Sequence, residues 1–167
     1  MQLSNDLIDR KIHLIITGKG PNKEKFRLWI NAKRLFWKKL KVDQIWLEIE
    51  DYPKMLAVAD LGICLHYSSS GLDLPMKVID MYGACLPVVA INYRCIKESV
   101  KENYSGWIFD TEAQLKKIIK NLIWDFNKES YILQKYRNNI RDLREKKTWK
   151  VEWDTKVKPI IENFRQK

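Results

Sequence analysis

Residues 61–91 read LGICLHYSSSGLDLPMKVIDMYGACLPVVAI, and this stretch decides the fold. Leu61–Leu65 is a short apolar run that predicts a buried strand. A polar loop, 66–75, follows it and ends at Pro75, a residue that the first turn of a helix tolerates. Pro87–Ile91 predicts the next strand. This order of strand, loop, helix and strand predicts two parallel strands joined by a crossover helix.

The same alternation continues on both sides of this stretch. Helical or strand periodicity predicts the remaining elements. Strands are expected at 13–17, 42–47, 61–65, 87–91 and 106–109, and helices at 22–35, 51–59, 75–84, 96–102, 111–125, 130–146 and 159–165. Alternating strands and helices indicate an α/β fold of three layers, a Rossmann-like parallel sheet with helices on both faces. We expect a single domain, 1–167, with an α/β core at 12–110 and C-terminal helices at 111–167.

Composition excludes several classes of protein. The 167 residues are 46% apolar and 31% charged, which is too apolar for a disordered chain. No apolar run approaches the length that spans a bilayer, so no membrane-spanning segment is expected. Cys64, Cys85 and Cys95 form no CxxC pair and are odd in number, which indicates free thiols.

The net charge of +10 lies in the flanks 1–50 and 111–167, around a slightly acidic middle. Three interpretations stay open, namely contact with nucleic acid, contact with an anionic membrane or phosphorylated substrate, and solvated helix faces. One cluster suits a membrane interface, since cations surround two aromatic residues. The alternative for it is a solvated helix end with its aromatic rings in the core. The cluster consists of Lys33, Arg34, Phe36, Trp37, Lys38, Lys39 and Lys41.

Metal and nucleophile motifs are missing from the sequence. It contains two histidines, and it has no HExxH spacing, no GxSxG elbow and no phosphate-binding GxxxxGK[ST] loop. We therefore expect no metal site and no cofactor. Gly18-Lys19-Gly20 lacks the third glycine of a dinucleotide fingerprint, but two glycines at a strand-to-helix turn let backbone N–H groups approach an anion. The alternative is an ordinary tight turn.

The loop before Pro75 offers hydroxyls and free N–H groups at the start of a helix. Ser68, Ser69, Ser70 and Gly71 form a geometry suited to a phosphate or a sugar.

Lys77 and Asp80 lie three residues apart on the helix that follows and share one face. A lysine there can meet a diphosphate, and a carboxylate can accept hydrogen bonds from a ribose. The alternative is a surface ion pair of little energetic value.

Four stretches resemble the chitobiosyldiphosphodolichol beta-mannosyltransferases, a family that uses GDP-mannose and has the two-domain GT-B fold. They are WLEIEDYP at 46–53, ADLGICLH at 59–66, SSSGLDLPMKVIDM at 68–81 and LPV at 86–88. The third stretch is specific to this family. The wider class of GT-B enzymes shares only a looser pattern, an acidic residue followed by a small residue and then by Leu-Pro-Val. In this sequence the pattern corresponds to Asp80, Gly83 and residues 86–88.

The resemblance implies an activity: transfer of the first mannose from GDP-mannose to dolichol-diphosphate-linked chitobiose, forming a beta-1,4 bond with inversion. This reaction takes place at the endoplasmic reticulum membrane, on its cytosolic face. Leu72 stands where retaining GT-B enzymes carry a glutamate, which suits an inverting enzyme. No residue of this chain is assigned as the catalytic base.

The resemblance also implies roles for donor-binding residues. Asp80 would bind the ribose of GDP, and Lys77 would face the diphosphate. The backbone near Leu47 and Glu48 would face guanine. The other donor-binding residues are expected to line the diphosphate and mannose or to flank them; they are Gly18, Gly20, His66, Ser68, Ser69, Ser70, Gly71, Leu72, Asp73 and Met76.

Compared with the family, the sequence corresponds to the half of the enzyme that binds the sugar donor. The domain that binds the acceptor is an expected partner. We therefore expect this chain alone to be inactive. In GT-B enzymes the terminal helix returns to the acceptor domain, so five apolar residues are expected to be partly exposed here: Trp149, Trp153, Ile160, Ile161 and Phe164.

Two other functions stay open. One is a non-catalytic module that binds nucleotide sugars or another protein. The other is a nucleic-acid-binding domain, which has only the basic flanks in its favour.

Overall fold

The computed structural model describes residues 11–67, 70–124 and 131–165, in which helices and parallel strands alternate. The strands are β1 (Ile12–Thr17), β2 (Leu40–Ile45), β3 (Gly62–Cys64), β4 (Val88–Ile91) and β5 (Gly106–Phe109). The helices are α1 (Lys23–Arg34), α2 (Tyr52–Val58), α3 (Met76–Gly83), α4 (Ile96–Ser99), α5 (Glu112–Trp124), α6 (Tyr131–Lys146), α7 (Trp149–Glu152) and α8 (Lys158–Arg165), with a π-helical turn at Trp153–Val157 between the last two.

The described residues form two compact units. The first unit comprises residues 11–55 and 110–124, and the second comprises residues 56–67, 70–109 and 131–165. Each unit contains its own parallel sheet, of two strands in the first and three in the second. The prediction of a single domain stays a prediction.

In the first unit, β1 and β2 pair in parallel from Ile12 opposite Leu40 to Thr17 opposite Ile45. A side-chain contact also joins the two strands, because Nε2 of His13 on β1 lies 2.8 Å from the carboxylate of Asp43 on β2. Nζ of Lys41, on the same strand as Asp43, lies 2.7 Å from that carboxylate. The hydrogen bonds from Lys41 and then His13 lower the pKa of Asp43 below its ordinary value.

In the second unit, the strand order is β3-β4-β5. The central strand β4 lies in the core of this unit, since Val88, Val89 and Ala90 are fully buried. Burial of consecutive residues is expected of a strand that is covered on both faces. Gly106 on β5 permits the close pairing, because a Cβ there would overlap the carbonyl oxygen of Val88. A side chain at this position would therefore separate the two strands.

Helix α6 packs against the second unit through one apolar stripe. Leu133, Tyr136 and Ile140 are buried on it at helical spacing. The ring of Tyr136 stacks on Trp107 of β5 with ring centroids 4.5 Å apart. These contacts make α6 part of the core of the second unit, while α5 belongs to the first.

Two arginines of α6 bind carbonyl oxygens near the ends of other helices. Arg137 donates to the carbonyl of Ala59, just after α2, at 2.5 Å. Arg144 donates to the carbonyl of Gly83, the last residue of α3, at 2.6 Å. Carbonyls at a helix C-terminus lack partners within the helix, so the two guanidinium groups satisfy them.

The predicted α/β class, with parallel strands and a helical C-terminal segment, is confirmed. The expected single sheet is divided into two, and the strand predicted at 42–47 lies at Leu40–Ile45. The bounds of β2 are set by its pairing with β1. That pairing ends with Thr17 opposite Ile45, because the chain turns away at Gly18.

The helix predicted at 159–165 begins earlier. Thr148 accepts a hydrogen bond from the backbone N–H of Val151 and caps α7, from which the chain stays helical to Arg165. The expected exposure of five apolar residues is confirmed for Trp149, Trp153, Ile160, Ile161 and Phe164. Within the described ranges, no helix combines the length and apolar character needed to cross a bilayer.

Candidate functional site

The loop that follows β3 in the second unit is closed by a pair of side chains. Nε2 of His66 lies 2.6 Å from a carboxylate oxygen of Asp73, and both side chains are half-buried. Between them, Gly71 has a φ of +66°, a conformation that glycine adopts without strain. The N–H of Leu72 donates to Oγ of Ser70 at 3.2 Å. Sequence reasoning placed these residues in the site and did not foresee the pair.

Two of the predicted serines, Ser68 and Ser69, lie outside the described residues. Their predicted contact with a diphosphate or sugar stays a prediction.

A tyrosine after β4 lies beside this loop. The ring of Tyr93 meets the ring of Tyr67 edge to face at 6.2 Å. Its hydroxyl is buried and has no hydrogen-bond partner among the described residues. Burial raises the pKa of Tyr93, and nearby Cys64, Asp73 and Cys95 raise it further. Sequence reasoning missed Tyr93, although its place just past the carboxyl end of a parallel strand was a usable signal.

Helix α3 turns one face to the core and another to solvent. Val78 and Met81 are buried, while Lys77 and Asp80 are exposed. No ion pair joins these two charged residues in the part of the chain that the structure describes. The surface ion pair considered as the alternative is therefore not formed. Both side chains are accessible to a ligand at the helix start, as are those of Met76 and Leu72.

In the first unit, the turn after β1 contacts the residue after β2. Nζ of Lys19 lies 3.8 Å from the ring centroid of Trp46, a cation–π contact. Gly18 has a φ of +152°, and the carbonyl of Gly20 accepts the N–H of Lys23 at 3.0 Å. Space is open where a Cβ of either glycine would lie. The backbone here can be approached closely, as the sequence predicted, and the cation–π contact is new.

The residues predicted near guanine form the turn into α2. Leu47 is half-buried and Glu48 is exposed. The carbonyl of Glu48 accepts the N–H groups of Asp51 and Tyr52, each at 3.1 Å. Since both acceptor positions of that carbonyl are used, a base at this turn would have to bind other backbone groups or the Glu48 carboxylate.

The structure thus brings predicted residues together within each unit. The loop and α3 of the second unit place an imidazole, a carboxylate, an amine and a second carboxylate along one segment: His66, Asp73, Lys77 and Asp80. The first unit holds Gly18, Gly20, Leu47 and Glu48 at the ends of β1 and β2. A nucleotide sugar carries hydroxyl groups, which can donate hydrogen bonds to the carboxylates, and phosphates, which can bind the lysine amine. This set of side chains therefore suits a nucleotide sugar.

Comparisons with known proteins point to a glycosyltransferase. Residues 1–142 match the model of the family described as glycosyl transferases group 1. Curated relatives named chitobiosyldiphosphodolichol beta-mannosyltransferase include those of Dictyostelium discoideum, 47% identical over 157 residues, and Homo sapiens, 42% identical over 147 residues. Each match covers 88% of this chain and 31% of the relative. The resemblance stated from the four sequence stretches is confirmed.

The Candida albicans enzyme of the same name is 39% identical over 152 residues, covering 91% of this chain and 33% of its own length. The chain spans about a third of the length of these relatives. An Arabidopsis thaliana relative named UDP-glycosyltransferase TURAN is 42% identical over 147 residues, 88% of this chain and 31% of that protein.

Among solved structures, Anabaena HepE in complex with UDP-glucose matches with a TM-score of 0.54 and 19% identity, covering 77% of this chain and 35% of that one. The same protein with UDP gives a TM-score of 0.56 at 18% identity, over 80% of this chain and 36% of that one. These likenesses confirm the predicted α/β fold of the GT-B kind. Because the family model matches most of the sequence, the chain belongs to the glycosyl transferases group 1 family.

Proposed function

We propose that this chain forms the donor-binding portion of a beta-mannosyltransferase that moves mannose from GDP-mannose to dolichol-diphosphate-linked chitobiose, with inversion. One observation carries the proposal: relatives 39–47% identical over most of the chain bear the name of that enzyme. The proposed place of the reaction is the cytosolic face of the endoplasmic reticulum membrane. The acceptor is proposed to bind to a domain outside this chain.

The second unit supplies the groups proposed for ribose and diphosphate. Asp80 accepts hydrogen bonds from the ribose hydroxyls, and Lys77 offsets the charge of the diphosphate. Their exposure on one face of α3 supports this assignment. The N–H groups at the start of α3 face the same phosphates, since the first N–H groups of a helix lack partners within it.

The loop before α3 is proposed to hold the sugar end of the donor. His66 and Asp73 fix the loop, while Ser68, Ser69 and Ser70 offer hydroxyls to the diphosphate and mannose. The buried hydroxyl of Tyr93 has a free hydrogen-bonding capacity among the described residues and lies beside this loop. A buried hydroxyl without a hydrogen-bond partner costs free energy. A hydrogen bond between the Tyr93 hydroxyl and bound GDP-mannose would remove that cost.

The first unit is proposed to contribute Gly18 and Gly20 toward the diphosphate, and Leu47 with Glu48 toward guanine. Open space at both glycines supports the first assignment.

The apolar Leu72 at the position of the retaining-enzyme glutamate supports a direct displacement. In such a reaction the chain holds the donor and its departing GDP while a general base activates the acceptor hydroxyl, a role that is assigned to no residue of this chain.

Calorimetric titration of the chain with GDP, UDP and inorganic diphosphate tests donor binding. We expect GDP to bind more tightly than UDP and far more tightly than diphosphate. Equal affinity for GDP and UDP would contradict the assignment of the donor.

Transfer is tested with a chimera. The segment of the Dictyostelium discoideum relative that matches this chain is replaced by this chain, and mannose transfer from GDP-mannose to the lipid-linked acceptor is measured. An inactive chimera that still binds GDP would favour the non-catalytic module over the enzyme.

A further inference from the structure

Residues 33–41 read KRLFWKKLK and comprise the end of α1, the turn that follows it and the start of β2; we call this segment the basic turn. It displays apolar side chains to solvent: Leu35 is 89% exposed and Phe36 is 66% exposed. The turn lies wholly within the first unit. Two adjacent large apolar side chains at this exposure, flanked by cations, need an explanation beyond scattered surface hydrophobicity.

Local hydrogen bonds hold the basic turn in shape. The N–H of Phe36 donates to the carbonyl of Lys33 at 2.9 Å, and the N–H of Trp37 donates to the carbonyl of Arg34 at 3.2 Å. Trp37 is half-buried and its ring meets Trp29 of α1 edge to face at 5.8 Å. Phe36 is thus exposed, and Trp37 is partly covered by a ring that is itself exposed, so neither aromatic side chain lies in the core.

The charged residues of the basic turn itself are all cations. Lys33, Arg34 and Lys38 are exposed. Lys41, at the far end, lies 2.7 Å from Asp43, so its charge is already offset. Lys33, Arg34 and Lys38 thus accompany Leu35 and Phe36 as exposed cations.

We propose that the basic turn binds the surface of an anionic lipid bilayer. Leu35 and Phe36 enter the headgroup region, and Lys33, Arg34 and Lys38 lie among the lipid phosphates. Apolar side chains beside cations are the combination that interfacial membrane binding uses. This inference does not depend on the proposed function, because binding to vesicles needs no donor and no acceptor.

Two other partners fit less well. Single-stranded nucleic acid binds cations and stacks its bases on aromatic rings, but a bare leucine offers it no stacking surface. Protein interfaces are depleted in lysine, whereas four of the five cations of the basic turn are lysines.

Co-sedimentation of the 167-residue chain with vesicles tests the proposal. Phosphatidylcholine vesicles are compared with vesicles that also contain phosphatidylserine, at low and high salt. We expect binding to the anionic vesicles alone, weakened by salt because the cations act through screened charge. Equal binding to both kinds of vesicle, or no binding at low salt, would overturn the proposal.

Two sets of variants separate charge from apolar insertion. Replacing Lys33, Arg34 and Lys38 by Gln is expected to weaken binding by about fivefold for each charge removed. The matched control replaces three exposed lysines of α5 by Gln, Lys116, Lys117 and Lys120, with the same change in net charge. An equal loss in this control would mean that net charge alone is responsible and would refute a localised site.

The apolar arm uses Leu35→Ser together with Phe36→Ser. The control is Val58→Ser, which alters an apolar residue that is 77% exposed at the end of α2. We expect the double variant alone to lose vesicle binding, with circular dichroism unchanged. Retained binding by the double variant would overturn the proposal, as would preferential binding of the unaltered chain to single-stranded RNA over anionic vesicles.

Discussion

His66 and Asp73 meet at 2.6 Å across the loop that precedes α3, and they hold together the two ends of a segment that contains Gly71. A second histidine–aspartate pair, His13 with Asp43 at 2.8 Å, joins the strands of the first unit. The chain thus carries a matched pair of contacts, one in the candidate site and one outside it.

The first prediction concerns the coupling of His66 and Asp73. His66→Ala and Asp73→Ala are each expected to weaken GDP binding, and the double variant is expected to bind no more weakly than the worse single variant. Residues in one contact show coupling of about 0.5–3 kcal/mol, which a double-mutant cycle by calorimetry measures. The control is His13→Ala. Additive losses at His66 and Asp73, or a similar loss in His13→Ala, would show that the pair does not shape the site.

The second prediction concerns Asp80. Asp80→Ala is expected to weaken GDP binding more than tenfold, since a hydrogen bond to a charged group is worth about 1.5–3 kcal/mol. Asp60→Ala, which alters another exposed carboxylate of the same unit, should leave the affinity unchanged. The ribose assignment fails if GDP affinity in Asp80→Ala stays within about twofold of the original.

The third prediction concerns alkaline stability. Burial raises the pKa of Tyr82 to about 12, although its hydrogen bond with Ser105 at 2.7 Å acts in the opposite direction. Because the folded pKa lies above the ordinary 10.0, the contribution of this phenol to the free energy of unfolding is complete below pH 10.0 and is lost as the pH rises through 12. The loss amounts to about 2–3 kcal/mol.

Urea unfolding at a series of alkaline pH values measures this loss. Tyr82→Phe should be less stable at neutral pH, because the buried Ser105 loses a partner, and should lose less stability on the alkaline side. Tyr104→Phe changes an exposed tyrosine and serves as the control. An unchanged alkaline slope in Tyr82→Phe would contradict the raised pKa.

The fourth prediction concerns the attachment of α6. Ile140 is fully buried, so Ile140→Ala should lower the free energy of unfolding by about 2–5 kcal/mol. Ile132 on the same helix is 38% exposed, and Ile132→Ala should cost much less. Comparable losses for the two variants would mean that α6 does not contribute a core face.

The sequence predicted most of the elements correctly, because hydrophobic periodicity reports burial directly. It placed β4 within Pro87–Ile91, and the structure buries Val88, Val89 and Ala90 completely. It placed β2 two residues late. The bounds of a strand depend on where its partner strand begins and ends, and the local hydrophobic pattern carries no information about that partner.

The candidate site was predictable as a set of residues and less so as an arrangement. His66 and Asp73 were both chosen, yet their contact depends on the conformation of the loop, including the left-handed Gly71. Lys19 over Trp46 and the buried hydroxyl of Tyr93 were missed, because each depends on chain segments that are distant in sequence.

The two arginine contacts of α6 have a consequence for synthesis of the chain. Arg137 follows Ala59 by 78 residues, and Arg144 follows Gly83 by 61 residues. During translation, both carbonyls leave the ribosome long before their donors have been made. The sheet β3-β4-β5 can therefore pair early on the nascent chain, but its helices gain these two partners only after α6 emerges. A ribosome-stalled chain with a C-terminal extension long enough to bring Arg144 out of the exit tunnel should accordingly be less sensitive to protease than one in which α6 is still enclosed.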